Sequence, residues 1–465
     1  MRGKLGVCPL DSHVRSWLIA QMKTLFLEID TEASWAVASL GPAFLASYLR
    51  QNDHEASFFR VRYDQNISDL IEKVRAEAPD LIGVSLTTRQ WLCAQEVIGQ
   101  IKSVFSIPVI AGGLHPTFSP EEVLRQCGFD YVCLGEGEAA LLELVNELKS
   151  GISCMDGHID NIWARGGSRP KLRSPIEPID DIPFMARDFL DEKWGIHHIS
   201  TQRGCPFPCT YCAARMYDDL YSSSDIGKYG RRRRPENIIS ELLEIRSNGP
   251  LNYVIFLDDT FTIHHSWIKD FCKLYLENIN VPFSLHARVE TVNKDLLWQL
   301  ALAGCKHITY GVESGSERVR REIMQRYATN ERFVDVFRWT RDVGIMVTAN
   351  YMIGTPGETI SEMMETIDLH HRLAPTDFGY FVFYPYPGTS LFQLCRSNRW
   401  LPEDYLTLPA NHRESILNLP NVTRSEIKQV YEAWTAIRIQ NTSARYHAPN
   451  VAQIEAEITK AASIG

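Results

Sequence analysis

The sequence predicts an α/β protein: a doubly wound parallel sheet, then a partial (β/α)6 barrel, then a short helical C-terminal region. Three observations predict it. From residue 22 to about 395, short apolar runs alternate with amphipathic stretches of helical period, the pattern of parallel sheets covered by helices. One stretch rich in proline and glycine, 151–195, interrupts the alternation. Polar and glycine-rich segments follow the apolar runs, where the carboxyl ends of parallel strands gather ligands. A chain of 465 residues also exceeds one ordinary core, so two or three domains are expected.

Residues 1–21 differ in pattern from the rest of the chain and read as a leader, disordered or the product of too early a start codon. In the first unit, 22–150, KTLFLEI, EASFFRV, DLIGVSL, IPVIAGG and FDYVCLG read as strands, each followed by a helical stretch. Five strand–helix pairs with short links make a flavodoxin-like sheet. The candidate ligand segments at its strand ends are 29–39, 85–90, 112–117 and 135–138. No G-x-G-x-x-G follows the first strand, and LGEGEA follows the fifth, so the dinucleotide fingerprint is weak.

Residues 151–195 read as an irregular linker. The second unit, 196–395, opens with the strand HHISTQRG and continues through YVIFLDD, PFSLHAR, HITYGVES, IMVTANYMIG and DFGYFVFYPY, with helices between them. Six such units suit an open barrel whose chemistry gathers at the C-terminal strand ends. Asp258 and Asp259 end the second strand, Arg288 the third, and Glu313 and Ser314 the fourth, while GTPGE at 354–358 follows the fifth. Each could merely cap a helix; their shared place on one rim favours a site. The adjacent pairs His264–His265 and His370–His371 diverge on a helix and read as surface or packing residues. The basic run 231–234 reads as a solvated loop before the helix PENIISELLEI, with contact to an anionic ligand as the alternative. Residues 396–465 read as a helical tail covering the open side of the barrel.

The first barrel strand runs into RGCPFPCTYCAARMY, which spaces Cys205, Cys209 and Cys212 as C-x3-C-x2-C. Three thiolates this close converge on one face of an inorganic cluster. A tetrahedral structural zinc needs a fourth ligand, and the next twenty residues offer Asp218, Asp219 and Asp225 but no Cys or His. The count favours an iron–sulfur cube with one open iron, with zinc and an unliganded loop as alternatives.

The net charge of −9 argues against nucleic acid as the main partner. No apolar run reaches the 18 or so residues of a membrane span, and the N-terminus lacks a secretory pattern. Eleven cysteines are too sparse for a disulfide scaffold and suit a reducing cytoplasm.

The cysteine motif with Tyr211 before its last member resembles the signature of the radical S-adenosylmethionine (SAM) enzymes. The resemblance extends to GVESGSERV (311–319), MIGTPGET (352–359) and YPYPGTSLF (384–392). AGGLHPTFSPEEVL (111–124) and DYVCLGEGEAALLELV (130–145) look like the cobalamin-binding domain of the branch containing class B methyltransferases and the anaerobic Mg-protoporphyrin cyclase. The resemblance implies that Cys205, Cys209 and Cys212 hold a [4Fe–4S] cluster whose fourth iron is chelated by SAM. It further implies Tyr211 near the adenine, Asp258 and Asp259 near the methionine amino group, and Arg288 on the same rim. Glu313 and Ser314 would lie near the ribose or carboxylate, and Gly354 and Gly357 near the adenine. Cobalamin would take Ser85, Thr87, Gly112, Gly113, His115, Gly135, Glu136 and Gly137. The Asp-x-His-x-x-Gly motif that ligates cobalt from below in methionine synthase is missing from EIDTEASWAVASLG, so Trp35 or the loop 86–90 is expected at that lower face.

The implied reaction is methyl transfer to an unactivated carbon or phosphorus centre, through a 5'-deoxyadenosyl radical and methylcobalamin. The alternatives are a cyclisation, rearrangement or oxidation without methyl transfer, and a non-catalytic iron–sulfur carrier. Methylthio transfer to tRNA fits less well, because the three extra N-terminal cysteines of those enzymes have no counterpart here. The expected partners are a small-molecule substrate and a reducing protein such as flavodoxin or ferredoxin. The aromatics Phe378, Tyr380, Phe381, Phe383, Tyr384 and Tyr386 crowd the last strand and suit a large apolar or ring-bearing substrate, as they suit ordinary packing.

Overall fold

A computed structural model describes residues 21–31, 40–62, 66–126, 128–151, 158–190 and 192–445. The first sheet contains β1 (Lys23–Ile29), β2 (Glu55–Val61), β3 (Leu81–Ser85), β4 (Val109–Gly112), β5 (Tyr131–Cys133) and β6 (Ile162–Ala164). Its order is β2-β1-β3-β4-β5-β6, with the first five strands parallel. Strand β1 is buried along nearly its whole length because both faces are covered. Leu25, Leu27 and Ile29 share a core with helices α2 (Ile67–Glu77) and α3 (Trp91–Val104). Phe26 packs with α1 (Leu40–Gln51) and α6 (Glu138–Lys149) on the other face. Two short helices, α4 (Leu114–Phe118) and α5 (Pro120–Arg125), follow β4. The chain order reverses between β1 and β3, which opens a crevice at their carboxyl ends.

Strand β6 departs from the expected linker. It pairs antiparallel with β5 as an edge strand, held by Arg165, whose backbone N–H donates to Asp130 O at 2.8 Å and whose Nε donates to Phe129 O at 2.9 Å. Three residues are too few to show an alternation in sequence.

The second sheet is all parallel, in the order β14-β13-β12-β11-β10-β7. Strand β7 is Ile196–Ile199. A hairpin of β8 (Gln202–Arg203) and β9 (Arg231–Arg232) follows, enclosing helix α7 (Ala213–Ser223). After α8 (Pro235–Asn248), strands and helices alternate: β10 (Tyr253–Phe256), α9 (His265–Asn278), β11 (Phe283–Ala287), α10 (Lys294–Leu302), β12 (Cys305–Glu313), α11 (Asn330–Asp342), β13 (Met346–Ile353), α12 (Ile360–Leu373) and β14 (Asp377–Val382). Strand β13 shows the expected period of two: Val347, Ala349, Tyr351 and Ile353 join the core beneath the helices. Helices α13 (Ser390–Ser397) and α14 (Arg424–Arg445) complete the described chain. Among the described residues no helix is long and apolar enough to cross a membrane.

Two expectations are corrected. The run 231–234 is not a solvated loop. Arg231 and Arg233 are buried, the first paired with Glu136 and the second with Glu241 at 2.6 Å. Arg232 lies 4.6 Å over the Trp267 ring, and only Arg234, paired with Asp180, is well exposed. Strand alternation turns every second arginine inward, and a buried cation requires a partner. Among the described residues of the tail, α14 does not lie over the open side of the barrel: it packs beside α12 against β14. Its Trp434, fully buried, stacks on Tyr351 at 4.8 Å and Tyr380 at 5.8 Å. The irregular segment before α14 lies along the free edge of β14, where Val382 N donates to His412 O at 2.8 Å. Residues 446–465, with the second predicted tail helix, lie outside the described residues. Of the histidine pairs, His370 is buried against Trp434 while His264, His265 and His371 are exposed, as packing and surface roles require.

Emptying the space of Trp434 removes the largest side chain sealing the last two strands. The Trp434→Ala variant is expected to lose about 3–5 kcal/mol from the barrel, measured as a lower urea midpoint for the transition that exposes β13 and β14.

Candidate active site between the two domains

The cysteine loop hangs from the β8–β9 hairpin. Gly204 has φ +81°, and a Cβ there would lie 3.0 Å from the Gly230 Cα, so only glycine lets the two hairpin arms close. Cys205 and Cys209 are buried and Cys212 half-buried; all three are free thiols. Cys205 Sγ lies 3.7 Å from Thr260 Oγ1. Arg288 Nη1 donates to Cys209 Sγ at 3.0 Å, and its guanidinium lies 3.9 Å over the Phe207 ring. The loop is tied down at Thr210, whose Oγ1 donates to Ile323 O at 2.6 Å and whose carbonyl accepts from Leu391 N at 3.1 Å.

This donor set fits a cluster. The three thiols are free, and Cys205 and Cys209 are near enough to Cys212 to act on its charge. A cluster places each thiolate on a separate iron; a structural zinc gathers four ligands on one. Burial, with Asp259 and the other two sulfurs adding to it, pushes the metal-free Cys212 thiol up to about 12, so metal binding must displace its proton.

The rim residues divide by what they touch. Asp258 is buried and fully engaged: Oδ1 accepts from Thr201 N at 2.7 Å and Gln202 N at 3.1 Å, and Oδ2 from Thr201 Oγ1 at 2.6 Å. It clamps the approach to the cysteine loop and leaves its neighbour Asp259 the exposed carboxylate on this rim. Glu313, at a bulge ending β12, has φ +68°. Its Oε1 lies 3.8 Å from Arg326 Nη1, which also donates to Tyr211 Oη at 3.3 Å. A non-glycine residue at positive φ on a strand end is held there by its surroundings. Ser314 is buried, its hydroxyl engaged by Ser316 N at 3.2 Å and close to Thr366 Oγ1. Gly354 and Gly357 have φ +77° and +82°, but a Cβ on Gly354 would meet Ile427 of α14 at 3.1 Å.

Four charged side chains lock the domains together. Arg203, two residues before Cys205, pairs with Glu136 at 2.9 Å and also with Glu138, while Arg231 pairs with Glu136 from the other hairpin arm. Glu136 N donates to Tyr221 Oη at 2.8 Å, in the space a Cβ on Gly135 would occupy. Behind this clasp lies a cleft of about 260 Å³, reaching Ser85, Gly112, Gly113, Gly135, Glu136 and Gly137 on one side and Tyr217 and Tyr229 on the other. Gly113, φ +98°, sits so close to Leu86 that a Cβ would lie 2.9 Å from its carbonyl oxygen.

A second cavity, about 340 Å³, separates the domains next to the cysteine loop. Thr87, Thr88, Arg89 and His115 line it from the first sheet, and Tyr211, Cys212, Met216 and Tyr386 from the barrel. His115 is buried against Trp91, ring centroids 4.8 Å apart, with Nδ1 3.3 Å from Thr88 Oγ1. Its Nε2 is buried without a partner, a polar atom that a bound ligand would satisfy. On the opposite wall Tyr386 is backed by His412, whose Nδ1 faces the Val382 carbonyl at 3.2 Å. A carbonyl only accepts, so Nδ1 carries the proton, and His412 Nε2 accepts from the Tyr386 hydroxyl at 2.6 Å.

Sequence reasoning reached Thr87, His115, Tyr211 and Cys212, which the fold brings to one cavity. It missed Arg203, Met216 and the paired role of Arg231. Strand alternation through 231–234 was the available signal for the last; the others had none. Trp35 lies outside the described residues.

Residues 199–370 match the radical SAM superfamily and residues 33–145 the B12 binding domain. This chain carries a B12-binding domain followed by a radical SAM domain. Its cofactors are accordingly a [4Fe–4S] cluster, SAM and cobalamin. It is 29% identical over 374 residues to an uncharacterized methyltransferase of Pyrococcus horikoshii, covering 78% of this chain and 79% of that one. It is 25% identical to the anaerobic magnesium-protoporphyrin IX monomethyl ester cyclase of Rubrivivax gelatinosus, covering 80% and 70%. The fold is shared with the radical SAM methyltransferase TsrM from Kitasatospora setae, solved with cobalamin and a [4Fe–4S] cluster: TM-score 0.67, 16% identity, covering 82% of this chain and 75% of that one.

Burial lowers the pKa of His115 from 6.5 to about 4. The unfolded chain therefore binds this proton first, so the contribution of His115 is complete above pH 6.5 and is lost as pH falls toward 4. Urea unfolding across that window should show His115→Asn losing roughly 2–3 kcal/mol less stability than the wild type; parallel pH curves would contradict a buried neutral imidazole.

Proposed function

We propose that this protein methylates an unactivated carbon or phosphorus centre of a small molecule held between its two domains. The observation that carries the reading is the shared cavity: Thr87 and His115, the latter with an unpartnered Nε2, and the cysteine loop, at Cys212, line the same space between the two domains. The similarity to a protein named as a methyltransferase, over most of both chains, supports it.

Cys205, Cys209 and Cys212 hold the cluster, and Arg288 fixes the position of Cys209 by donating to its sulfur. Asp259, Glu313 and the backbone at Gly357 line the place for SAM; Tyr211, braced by Arg326, closes its edge. Asp258, Ser314 and Gly354 act one step back, fixing the strand ends that carry these groups. Ser85, Gly112, Gly113, Gly135, Glu136 and Gly137 in the cleft, with Thr87 and His115 in the adjoining cavity, would hold cobalamin. When bound, these cofactors supply a radical able to take hydrogen from an unactivated C–H bond and a methyl group that can be handed to the carbon left behind. Met216, Tyr211 and Tyr386 give the substrate an apolar, aromatic wall. The phenol oxygen of Tyr386, donating its own proton to His412, remains an acceptor for a substrate N–H or O–H. The electron comes from a reducing protein of the flavodoxin or ferredoxin class, in the reducing cytoplasm that free thiols suit.

The similarity to the cyclase favours a second reading, in which the same radical starts a ring closure without methyl transfer. Anaerobic reconstitution with iron, sulfide and hydroxocobalamin, followed by reduction with SAM, separates the two. Mass spectrometry is expected to show S-adenosylhomocysteine together with 5'-deoxyadenosine; 5'-deoxyadenosine alone, with substrate turned over, would select the second reading. Replacing any one of Cys205, Cys209 or Cys212 by Ala should remove the iron–sulfur absorption and reduce 5'-deoxyadenosine to background.

A further inference from the structure

The cysteine loop has two sides. Cys212 faces the interdomain cavity, whereas Cys205 and the exposed Pro206 line a separate depression of about 420 Å³ that shares no lining residue with that cavity. Arg215, Lys228 and Arg232 stand around it, and a groove of about 520 Å³, sharing Lys228, Arg231 and Arg232, continues it over the surface. Two carboxylates, Asp218 and Glu177, lie on the walls. Of the basic side chains in 203–234, Arg203, Arg231 and Arg233 are committed to carboxylates inside the fold, which leaves Arg215, Lys228 and Arg232 at the depression, in a chain whose net charge is −9. Positive charge therefore stands beside Cys205 on an outer surface. Lys228 is exposed, and Arg215 is partly exposed and paired with Asp219 only across a solvated helix turn, an arrangement that leaves much of its charge available to a partner. Arg232 Nε and Nη1 are buried without partners beside them.

We propose that this basic depression is the docking face for a small acidic one-electron carrier protein, which reduces the cluster from the Cys205 side. The inference rests on the radical SAM reading of the cysteines. Charge complementarity selects the occupant: an acidic carrier is repelled by the rest of this anionic surface and steered to this patch. With flavodoxin the balance is simple. Its flavin passes from the anionic hydroquinone to the neutral semiquinone, one electron enters the cluster, and no proton or group is transferred.

The test uses the reconstituted full chain, with flavodoxin hydroquinone and, separately, dithionite-reduced methyl viologen as electron donors. Lys228→Glu and Arg215→Glu are expected to weaken flavodoxin binding about tenfold at low salt, and to flatten its salt dependence, measured by anaerobic titration of the flavodoxin. Flavodoxin-driven 5'-deoxyadenosine formation should fall in parallel, while the rate with the small cationic viologen stays at the wild-type value. Unchanged flavodoxin affinity in both variants would overturn the proposal, as would an equal loss with both donors, which marks damage to the loop. A depression that binds inorganic pyrophosphate but not flavodoxin would overturn it in favour of a small anion. Absence of 5'-deoxyadenosine with either donor, in protein that still binds flavodoxin through Lys228, would instead sink the radical SAM reading and leave the docking face standing.

Discussion

The interaction on which the rest depends is the buried charge cluster of Glu136, Glu138, Arg203 and Arg231. Two separately folded sheets can share one reaction space only if their strand ends are held at a fixed distance and angle. An apolar interface would supply adhesion with little preference for register. Buried ion pairs contribute little net stability, because desolvation cancels much of the attraction, yet a mispaired arrangement leaves a charge stranded at a cost of several kcal/mol. The clasp therefore acts as a registration device. It joins the loop after β5 to both arms of the hairpin from which the cysteines hang, so the glycine-rich cleft and the cysteine loop are positioned by the same four side chains.

Within that frame the site follows one rule: groups that must keep their place are saturated with hydrogen bonds, and groups meant for ligands are not. Asp258 accepts from Ser200, Thr201 and Gln202 and is buried, whereas Asp259, one residue on, is exposed. Thr88 meets one nitrogen of His115 and nothing meets the other. Such contrasts between adjacent residues separate positioning from binding more sharply than their residue types do, since Asp and His serve either purpose.

The sheets, their order in the chain and the cysteine site were legible because each is written locally. Strand β13 alternates residue by residue, and Cys205, Cys209 and Cys212 fall within eight residues. What was not legible depends on meetings across the fold. Glycine at 354 reads as room for a ligand, but its missing Cβ makes room for Ile427, seventy-three residues away. Ser314 reads as a rim residue, yet the bulge in β12 that gives Glu313 its positive φ coincides with a serine turned to Thr366 on α12. The composition of 231–234 suggests solvent, whereas its alternation, two residues of it paired with β8, sends every second arginine inward.

Two requirements of the proposed chemistry conflict, and the two sides of the cysteine loop reconcile them. A reactive radical needs a closed, largely apolar space from which water is excluded, while a cluster that is refilled with electrons needs an opening to a partner. Placing both on one face would expose the reacting atoms each time the carrier docked. Here Cys212 belongs to the interdomain cavity and Cys205 to the basic depression, and the loop between them is pinned at Thr210 to the segment before α11 and to α13. The loop serves as a partition that electrons cross and substrate does not. Because an electron tunnels through a few ångströms of protein and a molecule cannot, the partition need not move for either event, which is why a rigid attachment at Thr210 suits this loop better than a flexible hinge.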